Sequence, residues 1–137
     1  MAILVTPTNV QKLEYDVTTP EGAGRVTVVT GMLQYPLNAY APAGMLVTQN
    51  QSFRALVDPT TAPGKFRKAV ATASLRQIGQ INGPSYAQWL INEVQATLND
   101  ETGRVQLVVD VSLNVNGTDV YVNLYSIDFQ VTTLAMV

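Results

Sequence analysis

The stretch Val105-Gln106-Leu107-Val108-Val109-Asp110-Val111-Ser112-Leu113-Asn114-Val115 indicates the fold class, because every odd-numbered position in it is apolar. The even-numbered positions are polar, with Val108 as the exception. A period of two is typical of a β-strand that has one buried face and one solvated face. We therefore predict a strand over 105–115 whose odd-numbered side chains enter the core.

The residues that follow predict a hairpin. Asn116-Gly117 is a dipeptide favoured by type I′ turns, in which both central residues have positive φ. Such a turn places apolar residues opposite one another, in the pairs Leu113–Val120, Val111–Val122 and Val109–Leu124. Beyond Leu124 the apolar residues move to odd-numbered positions, so we also predict a β-bulge near Tyr125-Ser126.

The residues before 105 predict a third strand in the same sheet. The turn Asn99–Arg104 contains Gly103, which suits a left-handed backbone position. A strand over 92–98 then pairs with the next one in the register Leu98–Val105, Ala96–Leu107 and Val94–Val109. The result is a C-terminal antiparallel meander of three strands.

The rest of the chain has the turn spacing of an all-β protein. Leu13, Tyr15 and Val17 alternate with polar residues and predict a half-buried strand, which forms a hairpin with 26–32 across the loop 19–24. The Pro-rich stretch 35–44 predicts an extended loop, and 45–47 and 53–57 predict short strands. Residues 65–80 fit a strand or a helix, and we favour the strand. A single helical turn near Ser85 is also compatible with the sequence before the strand at 92–98.

We therefore predict one all-β domain over 1–137, an antiparallel β-sandwich or a closed β-barrel, with at most one short helix within 65–91. Both chain ends are apolar. We expect them to be strands tied into a sheet, with docking on a neighbouring subunit as the alternative.

The composition excludes several partners. Charged residues make up only 13% of the chain, about half the usual share, and the net charge is −2. Nucleic acid is therefore not an expected partner, because phosphate binding needs a basic face. No apolar stretch is long enough to span a membrane, and no signal peptide is evident at the N-terminus. We expect a cytoplasmic protein, or one released by a signal-independent route, for example as part of a virus-like particle.

The chain contains no cysteine and no histidine. It therefore lacks disulfides, thiol nucleophiles, Ser-His-Asp triads and the usual zinc ligands. We predict a protein that is not an enzyme and has no catalytic residues, no metal and no cofactor.

Four tyrosines are the predicted contact residues. The hairpin register sends Tyr121 and Tyr125 to the face opposite the core, where aromatic rings suit a sugar or a protein partner. Tyr35 and Tyr40 lie in the Pro-rich stretch, and they either form a contact loop or fold back on the core. The only cluster of cations comprises Lys65, Arg67, Lys68 and Arg76, and it has no Gly-rich phosphate motif beside it.

These observations favour a structural or interaction protein that acts through self-assembly or protein–protein contacts, such as the subunit of an oligomer, a filament or a virion. A surface with few charges repels copies of itself only weakly, which suits assembly. The alternative is a small-ligand module that binds a carbohydrate or a lipid, through either the face with Tyr121 and Tyr125 or the loop 35–42 with Tyr35 and Tyr40.

Overall fold

The computed structural model describes residues 2–137, which form eight β-strands and no helix. The strands are β1 (Ala2–Leu4), β2 (Thr8–Thr19), β3 (Gly22–Ala43), β4 (Val47–Thr60), β5 (Phe66–Ile81), β6 (Tyr86–Leu98), β7 (Arg104–Asn116) and β8 (Thr118–Met136). The all-β prediction is confirmed. The alternative of a short helix within 65–91 is wrong, because β5 and β6 occupy most of that range.

The strands form a β-sandwich of two four-stranded sheets. Sheet I has the order β1-β4-β7-β6, and sheet II has the order β2-β3-β8-β5. All neighbours are antiparallel except β1 and β4, which are parallel. Each sheet keeps two open edges, so the alternative of a closed barrel is wrong.

The core lies between the two sheets, and β7 contributes most regularly to it. Every odd-numbered residue of 105–115 is buried, as the alternation predicts. Sheet II supplies the opposing apolar residues from β3 and β8, among them Val29, Leu33, Val122, Leu124 and Phe129.

The predicted hairpin at Asn116-Gly117 is wrong, and with it the three-strand meander. β7 pairs with β4 and β6 in sheet I, whereas β8 pairs with β3 and β5 in sheet II. The chain at 116–118 therefore connects one sheet to the other. Positive φ occurs at Gly117 and Asp119, and Asn116 is not among the positive-φ residues. The predicted pairs Leu113–Val120, Val111–Val122 and Val109–Leu124 do not form.

Two other details of the C-terminal prediction are confirmed. β6 pairs with β7 in the predicted register, with Leu98 opposite Val105, Ala96 opposite Leu107 and Val94 opposite Val109. The pairing of β8 is irregular at Tyr125, between Leu124 and Ser126, against both β3 and β5. This irregularity is the predicted bulge.

The Pro-rich stretch 35–44 is the second half of β3 through Ala43, and the predicted loop is wrong. β2 pairs with β3 only as far as Met32, so the later part of β3 is an edge on that side. Prolines are tolerated at sheet edges and bulges, where no ladder donor is lost. Pro36 lies at the register shift between Gln34 and Leu37.

The remaining predictions concern strand limits. The β2–β3 hairpin is confirmed, with its turn at Pro20-Glu21. In place of the short strands predicted at 45–47 and 53–57 there is one strand, β4, which begins at Val47, so residues 45 and 46 precede it. β5 confirms the strand alternative for 65–80. Both chain ends are tied in within the molecule, since β1 pairs with β4 and the end of β8 pairs with β3.

Gly31 gives the first testable prediction. A Cβ atom at this position would lie 2.9 Å from Cζ of Phe129 and 3.1 Å from the Thr8 carbonyl oxygen. Gly31→Ala is therefore expected to lower the free energy of unfolding by about 1–3 kcal/mol, because the ring and the strand must shift. Urea denaturation measures the change. Gly64→Ala is the control, since a Cβ there meets nothing within 4 Å; equal stabilities of the two variants would contradict this packing.

Candidate functional site

The face of sheet II that points away from the core carries an apolar band across its full width. Leu13 of β2 pairs with Val28 of β3, which pairs with Thr132 of β8, and Thr132 pairs with Val70 of β5. The adjoining row contains Tyr15, Val26 and Leu134 and ends at Lys68. We define the apolar band by its six apolar members, Leu13, Tyr15, Val26, Val28, Val70 and Leu134.

The apolar band is uncovered. Leu13 is 63% exposed, Val70 51% and Tyr15 48%. The prediction that Leu13 and Tyr15 lie on a half-buried strand is therefore wrong for these two residues. The reason is the register with β3, which places both residues on the outer face of sheet II, at its β2 edge. Every residue from Asn9 to Asp16 is exposed.

The other face of β2 carries charges instead of core residues. Lys12 Nζ lies 3.0 Å from Glu14 Oε1 and 3.5 Å from Asp58 Oδ2 of β4. Arg25 Nε of β3 lies 3.2 Å from Asp16 Oδ1. The hydrogen bond to Glu14 and the charges of both carboxylates raise the pKa of Lys12. Ion pairs thus take the place of hydrophobic packing at this edge of the sandwich.

A second exposed cluster lies at the opposite end of the same outer face. Tyr121 of β8 pairs with Tyr40 of β3 on one side and with Ile81 of β5 on the other. The rings of Tyr40 and Tyr121 stack, with centroids 4.5 Å apart and an interplanar angle of 28°. Tyr125 lies over Gly79, where a Cβ would be 3.3 Å from the ring. We call Tyr40, Tyr121, Tyr125 and Ile81 the tyrosine surface.

The structure brings together three of the four predicted contact tyrosines. Tyr40 and Tyr125 are each 40% exposed, and Tyr121 is partly exposed. Tyr35 is separate from them, because its ring packs on Phe53 with centroids 5.4 Å apart. Of the two alternatives for the Pro-rich stretch, Tyr35 follows the one in which the ring folds onto the core, and Tyr40 does not.

A shallow polar depression of about 510 Å³ lies on sheet II between the apolar band and the tyrosine surface. Its floor includes Thr30, Thr72 and Gln130, and its rim includes Arg76. Arg76 Nη1 lies 3.4 Å from Asp128 Oδ1, so the two charges offset each other. The depression separates two apolar surfaces without adding a net charge between them.

The charges of the cation cluster at 65–76 are partly offset by carboxylates. Arg67 Nε donates to Glu21 Oε2 at 2.8 Å, and Arg76 pairs with Asp128. Two of the four cations thus already have carboxylate partners. Within residues 2–137, no group of three or more acidic side chains is arranged to hold a metal ion. The same residues include no helix that is long and apolar enough to cross a membrane.

The outer face of sheet I has a different chemistry. Its amide and hydroxyl groups hydrogen-bond to one another across the strands: Asn92 Nδ2 donates to Ser112 Oγ at 2.6 Å, and that hydroxyl donates to Asn50 Oδ1 at 2.6 Å. In a second ladder, Thr48 Oγ1 donates to Asn114 Oδ1 at 2.6 Å. Side chains that bond among themselves leave little unsatisfied surface, so sheet II is the better candidate for binding.

Comparison with known proteins identifies no relative. The sequence matches no protein-family model and no curated protein, and the fold matches no solved structure.

The side chains exposed on sheet II are of the kind that bind a partner and not of the kind that catalyse a reaction. The tyrosine surface offers stacked rings, and the apolar band offers exposed apolar side chains with no charge except that of Lys68 at one end. The sequence predicted four contact tyrosines, three of which share this face, but it did not predict the apolar band. The alternation in β2 could not reveal the apolar band, because Lys12, Glu14 and Asp16 on the opposite face make Leu13 and Tyr15 look like the buried side of the strand.

Tyr40 gives a prediction about pH. Its hydroxyl donates to Asp119 Oδ1 at 3.0 Å, and this hydrogen bond raises the pKa of Tyr40 above its ordinary value of 10.0. The protonated phenol is thus favoured in the folded state, so its stabilising contribution is complete below pH 10 and is lost as the pH rises through the folded pKa.

Asp119→Asn should lower the pKa of Tyr40 towards 10.0, because it removes the negative charge. Asparagine tolerates the positive φ of 53° at this position. An NMR titration of the tyrosine Cζ resonances measures the shift, with Tyr40→Phe to assign the signal. An unchanged Tyr40 titration in Asp119→Asn would contradict the role of the carboxylate.

Proposed function

We propose that this protein is a non-enzymatic structural subunit, and that copies of the chain bind one another through the β2 side of sheet II. The observation that carries the proposal is the exposure of Leu13 and Tyr15 on a strand whose outer face and outer edge are both uncovered. Edge strands with free backbone donors and acceptors pair readily with another chain. Large apolar side chains exposed beside such an edge are typical of an interaction site.

The chemistry of this region favours a second copy as the partner. The apolar band contains no charged member that would select an oppositely charged protein. The whole chain also has only 8 basic and 10 acidic residues, so copies of it repel weakly. An isologous contact uses the same patch on both subunits, and a patch without charged members brings no like charges together when it meets its copy.

The double variant Leu13→Thr/Tyr15→Thr tests this proposal. Threonine keeps the β-propensity of the strand but removes most of the apolar area. We expect self-association to weaken at least about tenfold, because each buried CH₂ contributes about 0.8 kcal/mol and every 1.4 kcal/mol is tenfold. Light scattering over a concentration series measures the association.

The control is Leu90→Thr, which makes the same kind of change on the outer face of sheet I. It should associate like the wild type. If the β2 variant associates as tightly as the control, the contact lies elsewhere and this proposal fails.

The second candidate function is carbohydrate binding at the tyrosine surface. The observation that favours it is the Tyr40–Tyr121 stack, which is held in place by the hydrogen bond from Tyr40 to Asp119. Fixed aromatic rings beside polar groups suit the apolar faces of sugar rings. No observation favours the lipid alternative in the same way.

A glycan array tests the second function. Tyr121→Ala/Tyr125→Ala should lose binding that the wild type shows, while Tyr86→Ala, a change of the same kind on sheet I, should keep it. Failure of the wild type on the whole array would count against carbohydrate binding.

A further inference from the structure

We infer that two copies join by antiparallel pairing of their β2 strands, in a register centred on Leu13. This inference rests on the proposed function and specifies its contact. The pairing would extend sheet II into a continuous eight-stranded sheet across a two-fold axis.

The edge of β2 is open along the length that pairing requires. β2 lies at the end of sheet II and pairs only with β3. Its register with β3 is regular from Gln11 to Thr19, and irregular between Thr8 and Gln11. The regular part that a partner would share around Leu13 runs from Gln11 to Tyr15. Five residues are a common strand length.

The charges of β2 decide among the possible registers. In a two-fold antiparallel pair the residues directly opposite each other lie on the same face, so Lys12, Glu14 and Asp16 meet only one another or their even-numbered neighbours. A register centred on Lys12 places two lysines opposite each other. Centres at Glu14 and Asp16 pair like carboxylates in the same way, and a centre at Tyr15 places Glu14 opposite Asp16.

Only the centre at Leu13 avoids a like-charge pair among the registers centred from 12 to 16. It places Lys12 opposite the partner's Glu14, and Glu14 opposite the partner's Lys12. Because Lys12 and Glu14 already pair within one chain at 3.0 Å, the four groups would alternate in sign across the axis. Opposite charges in directly paired positions stabilise antiparallel strands, and like charges destabilise them.

The apolar face agrees with the same register. Leu13 is the most exposed large apolar residue within any strand of residues 2–137, at 63%. The register places it against the partner's Leu13 on the two-fold axis, and Tyr15 against the partner's Gln11. The most exposed apolar side chain of the strand would thus be covered at the centre of the contact.

Charge reversal tests the register, because an apolar contact without this register would not show the pattern of losses and rescue described below. Lys12→Glu alone and Glu14→Lys alone each place like charges in both cross-strand pairs. We expect each variant to dimerise about tenfold more weakly than the wild type, or worse. An equimolar mixture of the two should form a heterodimer, because both cross-strand pairs then join a carboxylate of one variant to an ammonium group of the other. The double swap Lys12→Glu/Glu14→Lys should dimerise like the wild type.

Asp16→Lys is the matched control. It makes the same change of charge as Glu14→Lys, two residues away on the same face, but Asp16 lies opposite the uncharged Val10 in this register. It should leave dimerisation nearly unchanged. In the register centred on Glu14, Asp16 would face Lys12 and the same variant would weaken the dimer. Circular dichroism must show cooperative unfolding for each variant used.

A disulfide test does not depend on the charge variants. The natural chain has no cysteine, so Leu13→Cys introduces a single thiol. In this register the two Cβ atoms are about 4.5–5.5 Å apart, close enough for oxidation to join them after a small adjustment. Tyr15→Cys is the control, because its two copies would be about 13 Å apart.

The register is supported if the single charge variants dimerise weakly, if their equimolar mixture dimerises like the wild type, and if Leu13→Cys cross-links while Tyr15→Cys does not. A wild-type protein that dimerises, with unaffected charge variants and no cross-linking at 13, would overturn the register and leave the proposed function standing. A wild-type protein that stays monomeric at every concentration would overturn both.

Discussion

Replacement of Phe53 by alanine is expected to lower the free energy of unfolding by about 3–5 kcal/mol, because the change leaves a cavity between the two sheets. The Phe53 side chain is 1% exposed and lies in the core cluster. Its ring contacts Tyr35 with a centroid distance of 5.4 Å and an interplanar angle of 55°. Phe53 belongs to sheet I and Tyr35 to sheet II, so this pair helps to join the sheets.

The loss at Phe53 is a large part of the about 5–15 kcal/mol that usually stabilises a domain. Urea denaturation at low temperature should therefore show a variant near the limit of folding. Phe53→Leu keeps most of the buried volume and should lose less than half as much. A loss below about 1 kcal/mol for Phe53→Ala would contradict the packing described between β4 and β3.

Replacement of Trp89 by alanine is the second large effect, with an expected loss of about 3 kcal/mol. Trp89 belongs to β6 and packs against the core. Its Nε1 donates to the backbone carbonyl of Asn123 in β8 at 2.9 Å. The side chain therefore contributes both apolar contact and a hydrogen bond between the sheets.

Trp89→Phe separates the two contributions. It keeps most of the ring but removes the donor, so the expected loss is about 1–2 kcal/mol, from the hydrogen bond and the unpaired carbonyl. Trp89 is the only tryptophan, so denaturation of both variants must be followed by circular dichroism. Equal losses in Trp89→Phe and Trp89→Ala would show that the hydrogen bond accounts for the whole effect and would contradict the role of packing.

Alternation along 105–115 predicted correctly which side chains are buried, because the period of two reports the face directly. It also gave the β6–β7 register, since the turn between them is short and both strands bury the same face. The same alternation could not show that β8 lies in the other sheet. Val109 and Val122 are buried in either arrangement, whether as neighbours in one sheet or as opposed residues in two.

Two predictions failed because tertiary position overrides local preference. Prolines at 36 and 42 indicate a loop, yet β3 accommodates them where it has become an edge. Leu13 and Tyr15 alternate like buried residues, yet their strand lies beyond the core. The register with β3 places both residues on the outer face of sheet II, and alternation alone shows which residues share a face but not which face meets the core.

The tyrosine surface could be predicted only in part, because it also depends on strand pairing between distant parts of the sequence. The phase change near Tyr125 was readable from the apolar residues on either side of it, and Tyr121 and Tyr125 do face away from the core. The stack of Tyr121 with Tyr40 was not readable, because it needs the pairing of β8 with β3, which are distant in the sequence.

Sedimentation velocity of the wild-type protein over a wide dilution series shows directly whether the chain assembles with itself. We expect a reversible shift with concentration between a species of 14.8 kDa and one of twice that mass. A single 14.8-kDa species at every concentration, including the highest that stays in solution, would contradict it.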